Sequence, residues 1–262
     1  MDLGLKDKPA LVLASSKGLG KATALALALE DANVAVLGRD EATIRRTADE
    51  IAARVGRPPL ALVADITRAD DIERAVRETV DRFGGLDILI NNSGGPRPGK
   101  FHQLSDADWQ SAFELTLLSY IRAIRAALPH MRAKGFGRIV NFTSSSIKEP
   151  IDNLMLSSTF RVGVVGLAKS LAADLAREGI LINTVGPGRF ATDRIVELDR
   201  ANAQSAGRPL DQVQADAATG IPAGRYGTPE EFGRLVAFLA SPANSYMTGQ
   251  ALLVDGGSVR AI

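Results

Sequence analysis

Residues 9–29 read PALVLASSKGLGKATALALAL: a short apolar run, a turn holding Gly18 and Gly20, then a stretch of good helix formers. An apolar run without polar alternation suits a strand buried on both faces of a parallel sheet. Glycines where such a strand passes into a helix let backbone N–H groups approach a pyrophosphate at the positive helix end. The same turn would also serve plain packing of helix on sheet. Its place after the first strand of a βαβ unit favours the nucleotide.

Working outward, similar runs recur at Asn33–Leu37, Leu60–Val63, Leu86–Ile90, Arg138–Phe142, Leu181–Val185 and Ala251–Val254. Helix-length segments separate them: Ala22–Leu29, Glu41–Arg54, Ala69–Arg82, Asp106–Lys134, Leu154–Arg177 and Glu230–Ala240. Parallel strands need helical crossovers, so this alternation predicts an α/β fold: a single-domain, Rossmann-type doubly wound parallel sheet with helices on both faces. No linker or composition break divides residues 1–262. The least regular stretch, Asp193–Pro222, is expected as a lid on the substrate side.

Composition excludes several function classes. The 31 basic and 30 acidic residues nearly cancel and form no basic run, which speaks against nucleic acid. Without cysteine and with His102 and His130 as the sole imidazoles, neither a thiol nucleophile nor a metal site is expected. No apolar stretch reaches the roughly 18 residues of a membrane span, and the expectation is a soluble cytoplasmic protein.

Five motifs in order, SSKGLG (15–20), NNSGG (91–95), GRIVNFTSSS (137–146), GPGRFATDR (186–194) and MTGQALLVDGG (247–257), give a resemblance to the short-chain dehydrogenase/reductase family. Within it the chain is most similar to 3-oxoacyl-carrier-protein reductase-like sequences. The family's glycine-rich cradle T-G-x-x-x-G-x-G falls on Leu13, Ala14, Ser15, Ser16, Lys17, Gly18, Leu19 and Gly20, with Ala14 where the first glycine belongs. The resemblance also implies cofactor contacts from Asp65 with Ile66, from Asn91, Ser93 and Gly94, and from Pro187, Gly188 and Thr192. NADP is expected over NAD: the tip of the second strand is Gly38, without a carboxylate, and Arg39 and Lys17 are placed to meet a 2′-phosphate. Asp40, which simple counting offers as the ribose ligand, reads better as a helix cap.

In this family a Tyr in Y-x-x-x-K donates the proton, a Ser orients the carbonyl and an Asn holds a relay water. Those positions fall on Ser157 with Arg161, on Ser144 and on Thr116. Tyr120, Tyr226 and Tyr246 are followed four residues on by Ile124, Glu230 and Gln250, so the chain holds no Y-x-x-x-K. A serine is a far weaker acid than a phenol, and an arginine does not titrate. Three readings stay open. Ser144 and Arg161 polarise a carbonyl while water, His102 or Glu149 gives the proton; or the chemistry is non-redox, as in the dehalogenases of this fold; or the protein binds NADP without turnover. A small-molecule substrate is expected between residues 95–101, 147–156 and 193–222. Assembly into a homotetramer or homodimer is implied by the resemblance, with the apolar run VGVVGLAKSLAADLA as an interface.

Overall fold

The computed structural model describes residues 2–261. Seven strands, β1 (Pro9–Val12), β2 (Asn33–Gly38), β3 (Leu60–Val63), β4 (Ile88–Asn91), β5 (Gly137–Phe142), β6 (Ile180–Pro187) and β7 (Ala251–Val254), form one sheet in the order β3-β2-β1-β4-β5-β6-β7. Every neighbouring pair is parallel.

The strands lack polar alternation because both faces are covered. Successive side chains point to opposite sides. Val12, Val34, Val36, Ile88, Ile90 and Val140 join one core cluster; Leu11, Ala35, Leu37, Leu89 and Ile139 join the other. Helices α1 (Gly18–Leu29), α2 (Glu41–Val55) and α9 (Pro229–Leu239) pack on the first face. The second is covered by α3 (Ala69–Phe83), α5 (Ser119–Lys134) and α6 (Met155–Leu175). The expected Rossmann-type parallel sheet is therefore the fold.

Two segments depart from expectation. The single helix read at Asp106–Lys134 is α4 (Asp106–Phe113), a π-helical turn at Glu114–Leu118, and α5. The residues read as irregular, 193–222, are mostly helical, as α7 (Asp193–Ala206) and α8 (Leu210–Thr219). Their Ala, Gln, Glu and Leu content favours helix. Gly207 at φ +61 ends the first and Pro209 leads into the second. Against α6 the chain's one tryptophan, Trp109 on α4, meets Phe160 edge-on with ring centroids 5.9 Å apart.

Candidate active site

All strands end on the same side, and there a cleft of about 610 Å³ opens. Its walls are the segments leaving β1 through β6, together with Leu115, Leu154, Ser157 and Arg161. The sheet is wound one way from β1 to β2 and the other way from β1 to β4, so the crevice lies at the switch point of a doubly wound sheet.

At one end Ser16, Lys17, Gly18 and Leu19 line the cleft. Lys17 precedes α1 in extended conformation and no side chain caps that helix. Its first-turn N–H groups therefore have no intrahelical or capping partner, which suits an anion. Ala14 is held at φ +45, a region costing a non-glycine residue roughly 1–2 kcal/mol. Ala14→Gly is expected to raise stability by about 1 kcal/mol, or about 2–4 °C in Tm. Thermal unfolding checks this, and an unchanged or lower Tm would show that the turn carries no strain.

Two predicted cradle residues turn inward. The Ser15 hydroxyl donates to the Val12 carbonyl at 2.8 Å and accepts from Leu37 N at 2.9 Å, tying β1 to β2. Gly20 is packed: a β-carbon there would stand 2.7 Å from the Ala14 carbonyl oxygen and 2.7 Å from Asn92 Nδ2. Asn91 likewise lies off the cleft, fully buried, donating from Nδ2 to Asn141 Oδ1 at 2.8 Å. Its neighbour Asn92, which sequence reasoning passed over, lines the cleft and donates to the Ala14 carbonyl at 2.9 Å.

Along the adjoining wall Gly38, exposed Arg39, Asp65 and buried Ile66 all line the cleft. Asp40 caps α2, accepting from the Thr43 hydroxyl and from Thr43 N at 2.8 Å; the hydroxyl bond first, and then the backbone bond, draw its carboxyl below the usual range. Asp65 accepts from Thr67 N at 2.9 Å and Thr67 Oγ1 at 2.8 Å. Behind the cradle, Lys21 and Arg46 add cations beside Ser16 and Lys17, although both are paired with Glu50. Arg46 was missed in the sequence because it looks like any exposed residue of α2.

Farther along, Ser93, Gly94, Ser144, Ser157, Arg161, Pro187 and Gly188 line the cleft, while Thr192 lines it beside the cradle, 3.6 Å from where a β-carbon on Gly18 would stand. Ser157 and Arg161 sit one turn apart on α6, both 6% exposed. The guanidinium donates from Nε to Ser157 Oγ at 3.2 Å, from Nη1 to the Phe142 carbonyl at 3.0 Å and from Nη2 to the Gly94 carbonyl at 3.4 Å. Five N–H groups are available, so two remain. The Ser144 hydroxyl accepts from Ser146 N at 3.2 Å.

Thr116 stands apart from this group. It is buried in the π-helical turn and its hydroxyl donates to the Ala112 carbonyl at 2.5 Å, on its own helix. His102 and Glu149, the expected side-chain proton sources, are exposed and lie outside the cleft. A phenol does lie nearby. Tyr120, fully buried, donates to the Phe142 carbonyl at 2.9 Å, the same oxygen that Arg161 uses, and approaches Ser93 Oγ at 3.4 Å. Burial pushes its hydroxyl pKa up, with Arg161 opposing.

A model described as enoyl-(acyl carrier protein) reductase matches residues 13–259. The chain belongs to the short-chain dehydrogenase/reductase family. Among curated members, a 3-oxoacyl-[acyl-carrier-protein] reductase of Synechocystis sp. is 35% identical over 259 residues, covering 97% of this chain and 98% of that protein. Among solved structures, YwfH, an NADPH-dependent reductase involved in bacilysin biosynthesis, superposes with a TM-score of 0.92 at 31% identity, over 97% of this chain and 99% of that one. The L-sorbose reductase of Gluconobacter frateurii, solved with NADPH and L-sorbose, has a TM-score of 0.96 at 27% identity, covering 100% of both chains. No helix among the described residues is long and apolar enough to cross a membrane.

Proposed function

We propose that this short-chain dehydrogenase/reductase is an NADPH-dependent oxidoreductase interconverting a carbonyl and an alcohol on a small molecule. The supporting observation is Arg161, a buried guanidinium fixed at three points in the cleft wall that also holds Ser144 and Ser157.

The cleft fits the cofactor. Uncapped N–H groups at Gly18 and Leu19 suit the pyrophosphate, Arg39 and Lys17 suit the 2′-phosphate, Asp65 and Ile66 suit the adenine, and Pro187, Gly188 and Thr192 suit the carboxamide. NADPH supplies the hydride when bound. Arg161 and Ser144 draw charge onto the substrate oxygen through preorganised donors. Water brings the proton, because Tyr120 is sealed in the core and His102 and Glu149 lie outside the cleft. Ser157 positions the guanidinium through its bond to Nε. Helix α7, which brings Asp193, Arg194, Ile195 and Glu197 to the rim, serves as the lid with α8 packed on it.

A second reading is a cofactor-binding protein without turnover. It is favoured by the same three bonds, which spend much of the guanidinium on the protein itself. Fluorescence titration with NADPH tests what both share, and absence of binding at millimolar concentration would sink both. If NADPH binds, its absorbance is followed across ketones, aldehydes and quinones; turnover of any one selects the enzyme.

Arg39→Ser is expected to weaken NADPH binding about tenfold, one lost charge-assisted bond, and to leave NADH unaffected. Equal losses for both would place the 2′-phosphate elsewhere. Self-association into a homodimer or homotetramer through α6 is supported by Val162, 49% exposed on that helix. Light scattering of the purified protein decides it.

A further inference from the structure

A second arginine stands at the reaction end of the cleft. Arg194, in the first turn of α7, lies against Gly95: a β-carbon on that glycine would fall 2.1 Å from Arg194 Nη2 and 2.7 Å from Nη1. Only a residue without a side chain lets the guanidinium settle there. The preceding residue, Gly94, offers its carbonyl to Arg161 Nη2 at 3.4 Å, so the two guanidinium groups meet consecutive residues of one loop. Both line the cleft.

Arg161 is held by neutral acceptors alone, and among the described residues Arg194 has no hydrogen-bond or carboxylate partner. Arg194 is exposed as a residue, but the packing around its guanidinium, and after it the nearby charge of Arg161, pull its pKa down. Two like charges brought together in a partly desolvated wall destabilise each other. An anion between them would relieve both, and the forked geometry of guanidinium suits a carboxylate. Of the cleft's three acidic residues, Asp65 is bonded to Thr67, Asp193 also faces the cradle recess beside Lys17, and Glu197, one turn along α7, is bonded to neither guanidinium.

Resting on the oxidoreductase reading above, we infer that the substrate is an oxo or hydroxy acid whose carboxylate is held by Arg194 with Arg161 at the loop of Gly94 and Gly95. Arg194 is then a specificity-determining residue that the cofactor does not need.

The test compares dissociation constants of pyruvate, 2-oxobutyrate, acetoacetate and levulinate with those of their methyl esters, by calorimetry, with and without saturating NADP+. At least one acid is expected to bind about tenfold or more tighter than its ester, the worth of one charge-assisted bond. Arg194→Gln should erase that preference while leaving NADPH binding unchanged; its exposed side chain keeps the substitution out of the core. Equal binding of acids and esters, no binding by either series, or a preference that survives Arg194→Gln would overturn the inference. So would a Gln variant that loses NADPH affinity and keeps its acid preference, which would assign the guanidinium to the cofactor. NADPH fluorescence is a separate readout, so failure of the cofactor reading is seen there and leaves the acid and ester comparison intact.

Discussion

Arg161→Ala is expected to lower turnover at least about 100-fold, the usual cost of deleting a preorganised donor that stabilises developing charge on oxygen. The loss should appear in kcat, since the interaction strengthens as charge develops. The fold should survive: Tyr120 still donates to the Phe142 carbonyl at 2.9 Å when the guanidinium is gone. The Gly94 carbonyl borders the cleft, where water can replace the lost donor. Stability should fall by only about 1–3 kcal/mol, the range for buried polar groups that lose a partner. Arg161→Lys separates charge from geometry. A lysine keeps the charge but cannot reach Ser157, Phe142 and Gly94 together in a planar fork, so most of the loss should remain. Steady-state kinetics beside thermal unfolding checks both variants; unchanged rates in the alanine variant would place the chemistry elsewhere in the cleft.

Gly20→Ala should be the most damaging single methyl in the cradle. Its β-carbon would press on the Ala14 carbonyl and Asn92 Nδ2, both at 2.7 Å, and on Ser15 Cα at 3.0 Å. Two of these three atoms are backbone, so α1 must lift from the turn or the Asn92 bond to Ala14 must break. Overpacking together with a lost hydrogen bond costs roughly 3 kcal/mol, or about 6–12 °C in Tm. NADPH affinity should fall by more than tenfold, because the N–H groups at Gly18 and Leu19 move with the helix. Gly94→Ala is the control: a β-carbon there meets nothing within 4 Å, and stability should stay within about 0.5 kcal/mol. Thermal unfolding of the two variants settles the contrast, and equal Tm values would mean that the turn yields without cost.

The architecture was legible because the apolar runs obey one rule: the five inner strands are covered on both faces, and every strand but the last is followed by a helix. That Lys17, Gly18 and Arg39, the residue just past the tip of β2, stand at the cleft was legible for the same reason, since position after a strand fixes which edge they occupy. Side-chain direction was not. Ser15 and Asn91 lie beside residues that line the cleft, yet their polar groups serve the sheet, and no local pattern distinguishes Asn91 from Asn92. Thr116 went astray because a π-helical turn, which left no mark in the apolar spacing, leaves its hydroxyl bonded along its own helix. Gly207 and Pro209 did mark the end of one helix and the start of another in the stretch read as irregular. Arg194 looked like one cation among many there, and becomes distinctive only where the fold sets it on Gly95.

The edge-on contact of Trp109 with Phe160 gives the molecule a reporter of its own. Phe160 directly precedes Arg161 on α6, and no second indole mixes into the signal. Emission from this one chromophore therefore follows the helix that carries Ser157 and Arg161, and its spectrum overlaps the absorption band of reduced nicotinamide. Small displacements of α6 can be timed in stopped flow on the unlabelled protein with oxidised cofactor, which lacks that band, and energy transfer to the reduced form reports its binding.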